Sequence, residues 1–234
     1  MKAQPNLAPI ANLIGEPARA TMLLELLGGG ALTATELAAR AEVAPSTASE
    51  HLARLVDGGL LRVEAQGRHR YYRLAGPEVA RILEALGTLG RPVDGGDPFE
   101  HEVLDGLRFG RTCYDHLAGR LGVVVRDALV ERGVLVEDGV EHGVTPAGEA
   151  WFAAFGIEVP AVRRARRSFA RSCLDWSERR PHLAGALGAA LLDRLVALGW
   201  VARVPGERMV VLTSAGRLGL ARELGIRLTE PLES

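Results

Sequence analysis

The 234-residue chain has almost no excess of charge of one sign: 28 basic groups stand against 29 acidic ones, a formal net of -1. A strongly basic balance would by itself point to nucleic acid; without it, any contact with a polyanion must rest on local features. No run of about 18 apolar residues occurs, so no membrane-spanning helix is expected. The start, Met1-Lys2-Ala3-Gln4-Pro5, lacks the apolar stretch of a secretory signal, and the expected location is the cytoplasm. Cysteine is scarce, with Cys113 and Cys173 only. In a reducing compartment such residues are thiols or ligands and not a structural disulfide. The chain has no glycine-rich phosphate loop, no His-Glu-x-x-His and no nucleophile elbow. The motifs that announce an enzyme are therefore missing, and none is expected.

What the chain does have is enough apolar sequence for a core: 47% hydrophobic and 24% charged residues. Charge is uneven along it. Residues 91–160 carry 13 acidic and 6 basic groups, and residues 161–234 carry 13 basic and 7 acidic. The two stretches either attract each other or form separate solvated surfaces. Gly90 to Pro98 is rich in Gly, Pro and Asp. It divides the chain into an expected domain at 1–90, a linker at 91–100 and a second domain at 101–234.

In the first domain, Leu7 to Leu27 reads as one or two helices interrupted near Gly15-Glu16-Pro17. Thr33-Ala34-Thr35-Glu36 fits a capping box opening a short helix. Pro45 suits the first position of the next helix, which runs to about Asp57 with Ala48, Leu52, Leu55 and Val56 as its apolar stripe. Leu60 to Ala65 and Arg68 to Leu74 read as strands around a Gln66-Gly67 turn, and Pro77 opens a last helix through Leu86.

Helix, turn, helix, hairpin is the winged-helix order. Pro45-Ser46-Thr47-Ala48-Ser49-Glu50-His51-Leu52-Ala53-Arg54-Leu55 resembles the Ser-x-x-Ser-x-His-Leu-x-x-Leu recognition helix of the ArsR/SmtB regulators. Gly58-Gly59-Leu60-Leu61 and Gly67-Arg68-His69-Arg70-Tyr71-Tyr72-Arg73-Leu74 resemble the same family's hairpin signatures. The resemblance covers about residues 10–88. It implies a homodimer that binds palindromic double-stranded DNA, represses, and lets go when an effector binds. The Leu7–Leu27 segment and the Pro77 helix are then the dimer surfaces.

The expected DNA contacts are Ser46, Thr47, Ser49, Glu50, His51 and Arg54 on the helix and Arg68, His69 and Arg70 at the hairpin tip. Ser46 and Thr47 sit where a helix N-terminus favours phosphate. Glu50 can accept from cytosine, Arg54 can reach guanine or phosphate, and the tip can place cations on the backbone or in the minor groove. His51 reads equally well as a packing residue. A protein-interaction module on the same fold, without sequence-specific DNA binding, is the rival reading. The family's known metal sites are not supported. Glu36 to Arg40 holds no cysteine, and Glu78 to Glu84 holds no histidine.

The second domain contains a repeat, about 101–160 and 161–234. Phe109-Gly110-Arg111-Thr112-Cys113-Tyr114-Asp115 matches Phe169-Ala170-Arg171-Ser172-Cys173-Leu174-Asp175. His116-Leu117-Ala118-Gly119-Arg120-Leu121-Gly122 matches His182-Leu183-Ala184-Gly185-Ala186-Leu187-Gly188, and Thr145-Pro146-Ala147-Gly148 matches Thr213-Ser214-Ala215-Gly216. Each copy reads as helices, a Gly-terminated helix, a hairpin and a last helix. The expected fold class is thus mainly α with small β-hairpin wings (α+β): a winged helix-turn-helix followed by two degenerate winged-helix-like repeats about a pseudo-twofold axis.

Such an axis would bring equivalent residues together. Cys113, Asp115 and His116 in one copy and Cys173, Asp175 and His182 in the other are candidates for a metal or effector site. Thiolates and imidazoles suit zinc or another thiophilic metal ion. The same cysteines also read as a thiol-reactive redox switch beside Arg111 and Arg171, or as buried packing residues. Phe109, Tyr114, Phe169, Trp176 and Trp200 offer an apolar space for a small-molecule effector instead. The run Arg163 to Arg167 reads as added DNA footprint, a solvated face, or a dock for the acidic stretch.

Overall fold

The computed structural model describes residues 6–67, 69–89, 105–205 and 207–228. It divides into two compact units, Met1–Leu83 and Glu84–Ser234. The division falls inside a helix, earlier than the glycine- and proline-rich stretch suggests. The expected linker 91–100 lies outside the described residues.

The first unit runs α1 (Ala8–Ile14), α2 (Pro17–Leu26), β1 (Leu32–Thr33), α3 (Ala34–Arg40), α4 (Pro45–Asp57), β2 (Leu61–Gln66), β3 (His69–Leu74) and the start of α5 (Pro77–Gly87). The helix starts follow local chemistry. Glu16 accepts from the amides of Ala18 and Arg19 ahead of α2, and Thr33 forms a full capping box with Glu36 ahead of α3. Pro45 is the first residue of α4, where its missing N–H costs nothing. Ala48, Leu52 and Leu55 are buried along α4 and pack with Leu23, Leu26, Leu37 and Leu74 in the unit's core. The strands form one antiparallel sheet in the order β1-β3-β2. Gln66 pairs with His69 and so belongs to β2, where the sequence suggests a turn residue. Gly67 takes the positive φ of 59° that such a turn needs.

The second unit carries the end of α5, then α6 (helical residues 105–109), β4 (Arg111–Cys113), β5 (His116–Ala118), α7 (Gly119–Glu131), β6 (Leu135–Asp138), β7 (Glu141–Val144) and α8 (Pro146–Ala154). After α9 (Val159–Arg163) the pattern returns as β8 (Arg171–Leu174), β9 (Pro181–Ala184), α10 (Gly185–Ala197), β10 (Val201–Arg203), β11 (Val210–Leu212) and α11 (Ser214–Leu224). Each copy is therefore hairpin, helix, hairpin, helix. The heads of the repeats, expected as helices, are strand pairs, which corrects that part of the winged-helix-like reading.

The head hairpins are exchanged between the copies. Hairpin β8/β9 of the second copy extends β6/β7 of the first into a four-stranded sheet, with His142 N–H donating to Ala170 O at 2.8 Å. Hairpin β4/β5 of the first copy meets β10/β11 of the second in the equivalent way, with Val210 N–H donating to Gly110 O at 3.0 Å. One apolar core, including Leu121, Leu129, Phe152, Leu187, Leu192 and Trp200, draws on both copies.

The repeated motifs have structural causes. Gly119 and Gly185 open α7 and α10 at φ 76° and 82°, a region where a Cβ is strained, and carbonyls of the preceding segment crowd both positions. Thr145 and Thr213 cap α8 and α11 by accepting from the amides of Gly148 and Gly216 at 2.9 and 3.0 Å. A Cβ on Gly216 would lie 2.1 Å from the Trp200 carbonyl oxygen, and one on Gly148 lies 2.0 Å from that of Val134. Gly216→Ala is expected to destabilise the second unit by about 1–3 kcal/mol, as overpacking does. The urea midpoint measures this; a variant as stable as the wild type would contradict the close approach.

Candidate DNA-binding face and metal centre

On α4, burial of one stripe leaves Ser46, Thr47, Ser49, Glu50 and Arg54 exposed on the other side. Ser49 Oγ donates back to Pro45 O at 2.8 Å. His69 and Arg70 are exposed on β3 at the hairpin end, while Arg68 lies outside the described residues. His51 departs from the outward set. Its Nδ1 stands 3.3 Å from Arg19 Nη1 and 3.6 Å from Glu16 Oε2, half-buried within the unit. Arg19, which the sequence did not single out, is itself buried. Its guanidinium donates to the carbonyls of Leu13 (2.7 Å) and Asn12 (2.8 Å), closing the C-terminal end of α1. Arg19 and His51 thus hold α1, α2 and α4 together, and His51 positions the helix.

In the second unit, each head hairpin sets one cysteine directly across from one histidine. Cys113 pairs with His116 across β4/β5, and Cys173 with His182 across β8/β9. The hairpins face each other, so the four side chains converge. Their ligand atoms all lie within 4.8 Å of one another, and all four residues are buried. The sulfurs are 4.0 Å apart, as two free thiols. The two Nε2 atoms are 3.2 Å apart.

Asp115 and Asp175, expected among the ligands, stand outside this group. Asp115 Oδ1 is 3.3 Å from His116 Nδ1, and Asp175 Oδ2 is 3.2 Å from His182 Nδ1. The second contact has an ion-pair distance without the alignment of a hydrogen bond. Each carboxylate addresses the outer ring nitrogen, which aims Nε2 inward. This is the arrangement that orients metal-bound histidines. Asp115 also pairs with Arg167 at the surface. Asp175 is fully buried and accepts from Gly119 N at 2.7 Å and from Ser177 Oγ at 2.8 Å.

The charges in the cluster are strongly shifted. The hydrogen bond between the two sulfurs, together with burial, raises the Cys113 thiol well above its usual range. The same hydrogen bond lowers Cys173; burial opposes this, and His116 and His182 reinforce it. Burial alone would depress His182, but Asp175 and the Cys173 thiolate outweigh it and hold the imidazolium to about 9. Burial works against ionised Asp175 too, and is overcome by His182 and Arg111. Without an ion, a proton must stand between the facing imidazoles, since two lone pairs at 3.2 Å repel. A cation bound by both sulfurs and both nitrogens removes that constraint. Tetrahedral zinc, with Zn–S of about 2.3 Å and Zn–N of about 2.0–2.1 Å, places its sulfurs about 3.8 Å apart and its nitrogens about 3.3 Å apart. The donor set fits.

The other expected residues fall elsewhere. Arg163 stacks over Phe169 with 4.0 Å to the ring centroid, so the basic run is tied down at both ends, by Phe169 and by Asp115. Trp176 lies under Arg111 at 4.6 Å, and Trp200 packs edge-on to Phe155. Phe109, Phe169 and Trp200 pack into the unit's apolar core. No helix among the described residues is long and apolar enough to cross a membrane.

A family model described as a helix-turn-helix domain matches residues 14–64. An HTH-type transcriptional regulator of Bacillus subtilis (strain 168), YdfF, is 42% identical over 224 residues, 96% of this chain and 99% of that one. The chain belongs to the HTH-type transcriptional regulators. Its first unit is a winged helix-turn-helix, with α3 and α4 followed by the β2/β3 hairpin. Because the match to YdfF runs end to end, it includes the repeat unit as well as the DNA-binding unit. Among solved structures, HlyU from Vibrio cholerae N16961 is 29% identical, covering 35% of this chain and 85% of its own, with a TM-score of 0.33. The transcriptional repressor BigR from Xylella fastidiosa is 22% identical, covering 37% of this chain and 88% of its own, with a TM-score of 0.34.

Proposed function

We propose that this regulator is a cytoplasmic homodimeric repressor whose operator affinity is set by a zinc ion, or another thiophilic metal ion, in its second unit. The first unit reads double-stranded DNA with Ser46, Thr47, Ser49, Glu50 and Arg54, all exposed on α4. The hairpin tip, with Arg68, His69 and Arg70, holds the backbone beside it. The apolar side chains Leu7, just ahead of α1, Leu24 on α2 and Ile82 on α5 are exposed, as a dimer surface requires.

The observation that carries the metal reading is the convergence of Cys113, His116, Cys173 and His182, all buried, on one point. Four protein ligands make a closed site, suited to binding and not to catalysis. In the bound form both cysteines are thiolates and both imidazoles neutral, so the ion takes the place of the cluster's protons.

Metal analysis of anaerobically purified protein, followed by operator titration in zinc-buffered and chelator-containing solutions, tests the reading. One ion per chain and about a tenfold difference in operator affinity between the two solutions are expected, within the usual range of allosteric coupling. Metal-free protein that binds its operator equally well in both would refute it.

A further inference from the structure

The two copies treat their Asp–His pairs differently. Asp115 ends at the surface on Arg167, whereas Asp175 leads inward. Asp175 Oδ2 lies 3.0 Å from Arg111 Nη2, and Arg111 Nη2 lies 3.6 Å from Glu84 Oε2. Glu84 Oε1 in turn accepts from Arg208 Nη2 at 2.5 Å. Asp175, Arg111 and Glu84 are buried to 1% exposure or less. Glu84 stands on α5, the helix that begins at Pro77 in the winged-helix unit and ends at Gly87. The last turn of α5 is held at the same place a second time. A Cβ on Gly87 would touch Trp176 at 3.4 Å, and the Trp176 ring lies against the Arg111 guanidinium.

We propose that the buried ion path His182–Asp175–Arg111–Glu84 carries metal occupancy from the cluster to α5. The path rests on the metal reading above and names the route of its regulation. Metal ligation through Nε2 fixes the His182 ring, and the ring fixes where Asp175 lies. Arg111 answers to Asp175 on one side and to Glu84 on the other. The network has room to respond. Arg111 Nε and Nη2 and Glu84 Oε2 are buried without a hydrogen bond among the described residues, while Arg111 Nη1 donates to Leu107 O at 3.1 Å and Ser177 Oγ at 3.2 Å. Such half-satisfied buried charges are sensitive to small displacements, because attraction in a low-dielectric interior changes steeply with distance. The pseudo-equivalent carboxylate, Asp115, has no such outlet, so the signal leaves by one copy only.

The test compares operator affinity with saturating zinc and with chelator in the wild type, Glu84→Gln and Asp115→Asn, with bound zinc counted in each. Glu84→Gln keeps the volume and an acceptor for Arg208 but removes the charge that draws Arg111. It is expected to retain one zinc while its zinc-dependent change in operator affinity collapses from about tenfold to under about twofold. Asp115→Asn is expected to keep the full change. Hydrogen exchange of the wild-type α5 amides serves if Glu84→Gln fails to fold, and zinc should slow it. Undiminished coupling in Glu84→Gln, or α5 exchange indifferent to zinc, overturns the path while leaving the metal site standing. A wild type that binds no zinc removes the metal reading, and with it the path's input.

Discussion

Replacing both Cys113 and Cys173 with Ser is expected to abolish tightly held metal and to lower the thermal stability of the second unit by as much as chelation lowers that of the wild type. Serine keeps the size of cysteine but offers zinc no thiolate, and the remaining imidazoles make two ligands of a four-ligand site. A ligand present at about 100 times its dissociation constant stabilises the folded state by about 2.7 kcal/mol. For a unit of about 150 residues, each kcal/mol moves the midpoint by about 2–4 °C, so chelator should lower it by about 5–10 °C. The double variant should melt at the chelated midpoint with or without zinc. Asp175→Asn should keep the ion but bind it about 10–100-fold more weakly, because the carboxylate that orients His182 is lost. Calorimetry with and without chelator, beside a zinc count, decides. A wild type whose melting ignores chelator would leave the four residues as a packing cluster.

The first unit was legible because its signals are local. Thr33 and Glu36 cap their own helix, Pro45 starts the next, and Ala48, Leu52 and Leu55 declare the buried side of α4 within one helix. The repeat was legible because its glycines and threonines answer to the same close approaches twice. From that repeat alone, the meeting of Cys113 with Cys173 and of His116 with His182 follows once the copies face each other.

What failed to show in the sequence has non-local or unsignalled causes. The head hairpins carry no glycine at their turns: Tyr114 (φ 61°) and Arg179 (φ 53°) take the left-handed conformation instead. Strands of three and four residues are also too short to declare an alternating pattern. Asp115 and Asp175 could be read as ligands or as ion-pair partners of arginines, because residue type says that a carboxylate is near, not which ring nitrogen it faces; the structure has them paired with Arg167 and Arg111. Arg19, Arg111 and Glu84 were invisible as buried charges. Their partners lie up to 124 residues away, and a buried ion pair leaves no periodicity behind it.

Operator binding supplies the second large effect, and salt dependence separates its parts. Arg54 is exposed on α4 beyond the buried stripe, and Arg70 is exposed near the hairpin tip. On a winged helix these positions meet different chemistry: α4 faces base edges in the major groove, and the tip faces the backbone. Arg54→Ala should weaken operator binding by about 1–3 kcal/mol and relax base preference at one position of each half-site. Arg70→Ala should weaken all sequences alike. In a homodimer, removing one phosphate contact per subunit reduces the slope of log affinity against log salt by about 2. His51→Ala should act without touching DNA, through the loss of its contact with Arg19. It should lower the stability of the first unit and leave the salt slope unchanged. Operator titrations over a range of salt concentrations, with thermal unfolding of each variant, distinguish the three. If Arg54→Ala and Arg70→Ala together left operator affinity and its salt dependence intact, this face would not be the one that reads DNA.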